Sequence, residues 1–210
     1  MTGLIRRISE NQCRTEEKTG KEEVKMKNII ILVDIQNGFV KTEYAEESFK
    51  RVEDLMKREL FDVVIATKYW NEEGSIICRL MDWHGLCTEE EQDLRPEIKE
   101  YVDHITEKNT FSSMTDEMKD LLREVNGGEL PEHVFVIGYD TECCVLTTAT
   151  DLFEMGIRPI VLTQYCGSHD GERYHQAGIT SLEHLIGPKF LIGEKLETKE
   201  DVERIVERCM

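Results

Sequence analysis

The chain has 210 residues and a formal net charge of −17, from 43 acidic and 26 basic side chains. That balance argues against nucleic acid and anionic membrane as partners, since both select for clustered Lys and Arg. The length suits one domain with a full core; no apolar run approaches the roughly 20 residues a bilayer span needs, and Arg6 and Arg7 lack the apolar stretch that follows in a signal peptide. In chain order, residues 1–26 are polar and read as an extension, a mobile tail or an exposed helix, ahead of a domain over 27–210.

Asn28 to Asp34 is the first strand, and its unbroken apolar run suits a strand covered on both faces. Asp34-Ile-Gln-Asn-Gly-Phe39 marks the turn that ends it. Helical spacing runs from Ser48 to Leu60, and Phe61 to Thr67 is a second buried strand, followed by Tyr69 and Trp70. Residues 71–100 read as a long loop with a short helix, a length that in compact domains usually serves function. Tyr101 to Ile105 is a weaker third strand, Lys108-Asn-Thr-Phe-Ser-Ser follows it, and Met114 to Val125 is a helix closed by Gly127-Gly128. Val134 to Ile137 is the fourth strand, with a sharp turn at Gly138 and a helix capped by Thr141. Arg158 to Thr163, Gly171 to Leu185, Lys189 to Ile192 and Thr198 to Cys209 complete the pattern as strand, helix, strand and helix. Strands alternating with helices at this rhythm predict a three-layer α/β/α sandwich around a mostly parallel, Rossmann-like six-stranded sheet. No Gly-x-Gly-x-x-Gly follows the first strand, so a dinucleotide site is not indicated.

Ligands in such sheets bind beyond the carboxyl ends of the strands. Three reactive side chains fall there: Asp34 after the first strand, Lys108 after the third and Cys144 after the fourth. A thiol in the first turn of a helix meets orphan N–H groups and the positive end of the dipole, which favours its thiolate. Asp34 suits a proton shuttle and Lys108 a fixed positive charge, while the backbone turn at Asp140, Thr141 and Cys144 offers amides to an oxyanion. Phe39, Tyr69, Trp70 and Tyr139 are expected to line a substrate pocket. Cys166 and His169, past the fifth strand, are read as loop residues. Seven cysteines, an odd number with no Cys-x-x-Cys pair, suit free thiols in a reducing cytoplasm.

The three motifs Asp34-Ile-Gln-Asn-Gly-Phe, Lys108-Asn-Thr-Phe-Ser-Ser and Gly138-Tyr-Asp-Thr-Glu-Cys-Cys144-Val resemble, in order, those of isochorismatase-like cysteine hydrolases, the superfamily of nicotinamidases and N-carbamoylsarcosine amidase. The resemblance spans about residues 28–192. It implies a catalytic triad of Asp34, Lys108 and Cys144, with Cys144 rather than Cys143 as nucleophile, and a cis peptide between Tyr139 and Asp140. It also implies a homo-oligomer, dimer or tetramer, that takes a small-molecule substrate. One departure matters. Where nicotinamidases carry an Asp-Trp-His-Pro…His metal-binding run, this chain reads Tyr69-Trp70-Asn71-Glu72-Glu73, and Asp82-Trp83-His84 lies too far along. The expectation is therefore a cytoplasmic, metal-independent hydrolase of a small amide or N-carbamoyl compound, without cofactor. The alternatives are a metal-dependent nicotinamidase-type or isochorismatase-type enzyme, and a non-catalytic module that retains the cleft.

Overall fold

The computed structural model describes residues 26–210; the extension expected at 1–26 falls, apart from Met26, outside the described residues. Six strands form the sheet: β1 (Ile29–Val33), β2 (Val63–Tyr69), β3 (His104–Lys108), β4 (His133–Gly138), β5 (Arg158–Cys166) and β6 (Leu191–Ile192). Around them run α1 (Glu43–Met56), α2 (Ile76–Met81), α3 (Glu89–Gln92), α4 (Asp116–Val125), α5 (Leu146–Glu154), α6 (Glu172–Leu185) and α7 (Lys199–Cys209).

The strand order is β3-β2-β1-β4-β5-β6 and every pairing is parallel. All five residues of β1 are completely buried, as the apolar run required. Each isoleucine so buried contributes about 1.5–3 kcal/mol relative to exposure. The chain leaves β1 toward β2 and β3, then returns to place β4 on the opposite flank. The strand order therefore reverses between β1 and β4, where open sheets hold their ligands.

Local chemistry sets the boundaries. Thr42 caps α1 by accepting from the Ala45 N–H at 3.2 Å, so the helix starts five residues before the expected Ser48. Thr198 and Asp201 form a reciprocal capping box on α7. The third strand lies at His104–Lys108, not Tyr101–Ile105, because Pro96–Tyr101 is taken by a 3₁₀ turn. Lys108 is thus the last residue of β3 rather than a loop residue. Cys166 likewise ends β5 and is fully buried. Gly138 has φ +127°, and a Cβ there would come within 2.0 Å of the Val33 carbonyl oxygen, so the tight seam between β1 and β4 admits only glycine. Among the described residues no helix is long and apolar enough to cross a membrane.

Candidate active site

Asp34 follows β1 in the left-handed region, with φ 51°, a conformation uncommon outside glycine and typical of functional positions. Thr67 of β2 holds it: the Thr67 hydroxyl donates to Asp34 Oδ1 at 2.6 Å and accepts from the Asp34 N–H at 3.1 Å. Gln36 clamps the next turn, accepting from the Tyr69 N–H at 2.8 Å and donating to the carbonyls of Tyr69 and Gln92 at 2.8 and 2.6 Å.

Lys108 reaches from β3 across the end of β2. Its Nζ passes 5.2 Å from the Tyr69 ring centroid and stops 2.7 Å from Asp34 Oδ2, with both side chains buried. The ammonium donates to the carbonyls of Thr110 and Phe111 at 3.0 and 3.1 Å. Asp34 Oδ2 therefore lies against the ammonium, and the Cys144 thiol also reaches the Asp34 carboxylate. Burial works against the charged lysine, but the Asp34 carboxylate and the Cys144 sulfur outweigh it and raise its pKa above the ordinary value.

Cys144 completes the group. It lies in a wide π-type turn, Thr141–Val145, that leads directly into α5. Its thiol interacts with both Asp34 and Lys108, whereas the main influences on Cys143 are burial and the carboxylates of Glu142, Asp140 and Asp170. Geometry therefore selects Cys144 as the thiol that meets the acid and the ammonium. Its resting state differs from the sequence expectation. Burial, then the charge of Asp34, push its pKa well above the ordinary cysteine value, and Lys108 does not reverse this. Burial and the neighbouring carboxylate thus work against a preformed thiolate, while the Lys108 ammonium works for it.

The turn is pinned on several sides. The peptide between Tyr139 and Asp140 is cis, as the resemblance implied. The Thr141 N–H donates to the Gly167 carbonyl at 2.9 Å; its hydroxyl also donates there, and lies 2.7 Å from His175 Nδ1. Thr141 is therefore neither a helix cap nor an oxyanion donor. Among the described residues the Asp140 N–H has no acceptor, and the Cys144 N–H has none outside its own turn. Of the two, the Asp140 amide is thus the one without an acceptor among the described residues. Gly178 of α6 presses on the same turn: a Cβ there would stand 2.6 Å from the Glu142 nitrogen and 2.7 Å from the Thr141 carbonyl carbon. Alanine normally stabilises a helix interior by about 1 kcal/mol over glycine. Gly178→Ala is expected to do the opposite here, costing about 1–3 kcal/mol by overpacking and displacing the turn. Thermal unfolding of the variant checks this; an unchanged or raised midpoint would refute it.

Beside the thiol lies a cavity of about 150 Å³ lined by Phe39, Tyr69, Trp83, Phe111, Cys144 and His169, with Cys143, Ile77, Met81 and the acids Asp140, Glu142 and Asp170 around them. A hollow of this size elsewhere admits a benzene-sized guest. Phe39 and Tyr69 stand where expected. Trp70 does not line the cavity, and Trp83 takes the role, lying 6.2 Å from Phe39 and 6.3 Å from Tyr69 between ring centroids. Tyr139 does not line it either: its ring is fully buried, and its hydroxyl bonds to Ser48 and to the Ala45 carbonyl. The residue read as a plain loop histidine, His169, is part of the wall. Asp140 holds it twice, Oδ2 to Nδ1 at 2.6 Å and Oδ1 to the backbone N–H at 2.8 Å, and that hydrogen bond raises the imidazole pKa. The strand-end rule applied to β5 would have found it.

Within the place of the metal-binding run, Asn71 offers a cation no free ligand atom. Asn71 stands there, buried, and its amide is consumed: Nδ2 donates to the Gly85 carbonyl at 3.0 Å and to Cys78 Sγ at 3.5 Å, and Oδ1 accepts from Ser75 at 2.6 Å.

A family model described as Isochorismatase domain matches residues 28–190. Among solved structures, an isochorismatase-like hydrolase from Alkaliphilus metalliredigens superposes with a TM-score of 0.67 at 20% identity, covering 85% of this chain and 98% of that one. A nicotinamidase/pyrazinamidase from Bacillus subtilis gives 0.63 at 20% identity, covering 77% and 97%. N-carbamoylsarcosine amidase from Thermoplasma acidophilum gives 0.64 at 19% identity, covering 80% and 95%. Likenesses at this identity establish the fold. No curated protein matches in sequence.

Proposed function

The chain belongs to the isochorismatase family, and from that premise we propose that it is a cysteine hydrolase that cleaves a small, flat, largely apolar amide or N-carbamoyl compound through a thioester on Cys144. The observation that carries the reading is the meeting of Asp34 and Lys108 with the Cys144 thiol, which itself opens on an aromatic hollow.

The chemistry starts from a thiol whose burial disfavours a free thiolate. As sulfur attacks the carbonyl carbon, the thiol proton passes to the Asp34 carboxylate, so a free thiolate need not accumulate in a buried site. Lys108 keeps its charge throughout and offsets the anion that forms. The carbonyl oxygen takes up the electron pair and is held by the Asp140 and Cys144 amides. Collapse breaks the C–N bond, and Asp34 returns its proton to the leaving nitrogen. Water then attacks the thioester, Asp34 takes a proton from it, and the departing sulfur recovers that proton as a thiol. No step calls for a Lewis acid, consistent with Asn71 where the nicotinamidase-type metal run would stand. The same argument weighs against the metal-dependent alternative.

The test is interception of the intermediate. Across a panel of small aromatic amides, ureas and N-carbamoyl compounds, acid quenching during turnover should leave an acyl adduct on Cys144 by intact mass and peptide mapping. Hydroxylamine should divert product to the hydroxamate. Turnover that yields only the acid at every hydroxylamine concentration, with no adduct, would mean that water attacks directly and would end the proposal.

A further inference from the structure

On sequence alone His84 had no companion that could make it a metal ligand. The fold supplies two. Glu73, Cys78 and His84 bring one carboxylate oxygen, one sulfur and one ring nitrogen within 4.8 Å of one another. The imidazole is oriented from both sides: Nδ1 lies 3.3 Å from Glu73 Oε1, and Nε2 lies 3.4 Å from Asp82 Oδ1. A carboxylate on the far ring nitrogen is the usual outer partner of a metal-bound histidine. Cys78 is buried in a polar frame, with its thiol donating to the Glu72 carbonyl at 3.3 Å and Asn71 Nδ2 donating to its sulfur at 3.5 Å.

We infer that Glu73, Cys78 and His84 form a binding site for a zinc-class divalent cation, with Asp82 as the orienting partner of His84 and water in the fourth position. The donor set decides the metal class. Sulfur and imidazole select a borderline ion over magnesium or calcium, and one carboxylate is compatible with zinc. Tetrahedral zinc sets its donors about 3.3–3.8 Å apart, so the exposed Glu73 and His84 side chains need to close by about 1 Å. On binding, Sγ forms a bond to the cation, and the thiol proton leaves to solvent. Asn71 keeps its N–H directed at the sulfur.

None of these donors lines the aromatic hollow, yet their neighbours do. Ile77 and Met81 flank Cys78 on α2, and Trp83 precedes His84. A cation here would pin the wall while staying out of the reaction. This ligand set, of acid, thiol and imidazole, differs from the Asp-His-His run that the chain lacks.

The experiment uses the full chain, reduced with a phosphine so that no Cys78–Cys87 disulfide competes. After loading with zinc and dialysis against a weak chelator, elemental analysis should give about one equivalent per chain. Cobalt in its place should show four-coordinate visible bands and a sulfur-to-cobalt charge-transfer band in the near ultraviolet. Cys78→Ser should abolish the charge-transfer band. His84→Ala and Glu73→Gln, both at exposed positions that folding tolerates, should lower affinity at least about a hundredfold, and Asp82→Asn by about ten- to a hundredfold. A six-coordinate cobalt spectrum without charge transfer, or equal zinc retention in wild type and His84→Ala, would show adventitious binding to an acidic surface and overturn the site. The readout does not use hydrolysis, so it stands or falls separately from the amidase reading.

Discussion

Replacing Cys144 with alanine is expected to lower kcat by on the order of 10⁶ while leaving the fold and substrate binding intact. Of the two thiols that line the hollow, Cys143 and Cys144, only Cys144 interacts with both Asp34 and Lys108. The substitution removes one sulfur from a buried position and leaves Asp34 and Lys108 paired. Serine should fare little better, because an alcohol is a far weaker acid than a thiol and Asp34 must still take its proton. Steady-state rates on the best substrate of the panel, with binding measured by calorimetry, check this. The same substitution at the adjacent Cys143 should change kcat by less than about tenfold, since that sulfur interacts with neither Lys108 nor Asp34. Hydrolysis that survives Cys144→Ala would sink the thioester mechanism.

Lys108→Met carries the largest stability penalty. Both members of the Asp34–Lys108 pair are almost wholly buried, and removing the cation leaves a carboxylate without compensation. The expected cost is about 3–5 kcal/mol, together with loss of activity. Asp34→Asn should cost a similar amount for the mirror reason. The double variant is the sharper measurement. Replacing both charges by neutral groups of similar size is expected to recover most of the stability and none of the turnover. Denaturant unfolding of the four proteins closes the cycle. Additive losses in the double variant would mean the pair is not coupled.

Much of this arrangement was legible before any coordinates. The continuous apolar runs at Ile29–Val33 and Val134–Ile137 suit strands covered on both faces, and the rhythm of strands and helices then points to a parallel sheet. The strand-end rule found Asp34, Lys108 and Cys144. It was under-used for His169, which follows β5 just as Cys144 follows β4. The aromatic wall was harder to read. Tyr139 belongs to the right turn but points beneath the sheet toward Ser48, a choice made by backbone geometry that composition does not carry. Trp70 was expected there and Trp83 was not, because residues 71–92 have no periodicity that says which side chain turns inward. The expected pull toward thiolate at Cys144 meets an opposing physical effect. A helix start and a lysine favour the thiolate, but complete burial beside a carboxylate costs more, and burial is a property of the fold rather than of the motif.

The floor and the wall of the hollow are built to different standards. The floor is fastened from three directions: Tyr139 to α1, Thr141 to Gly167 and His175, and Gly178 bearing on Glu142. The wall hangs on α2, six residues long, whose Ile76, Leu80 and Met81 lie largely in solvent. Residues 71–92 can therefore be treated as an exchangeable cassette: grafting that stretch from another member of the fold should re-aim substrate preference while the reactive constellation underneath keeps its register.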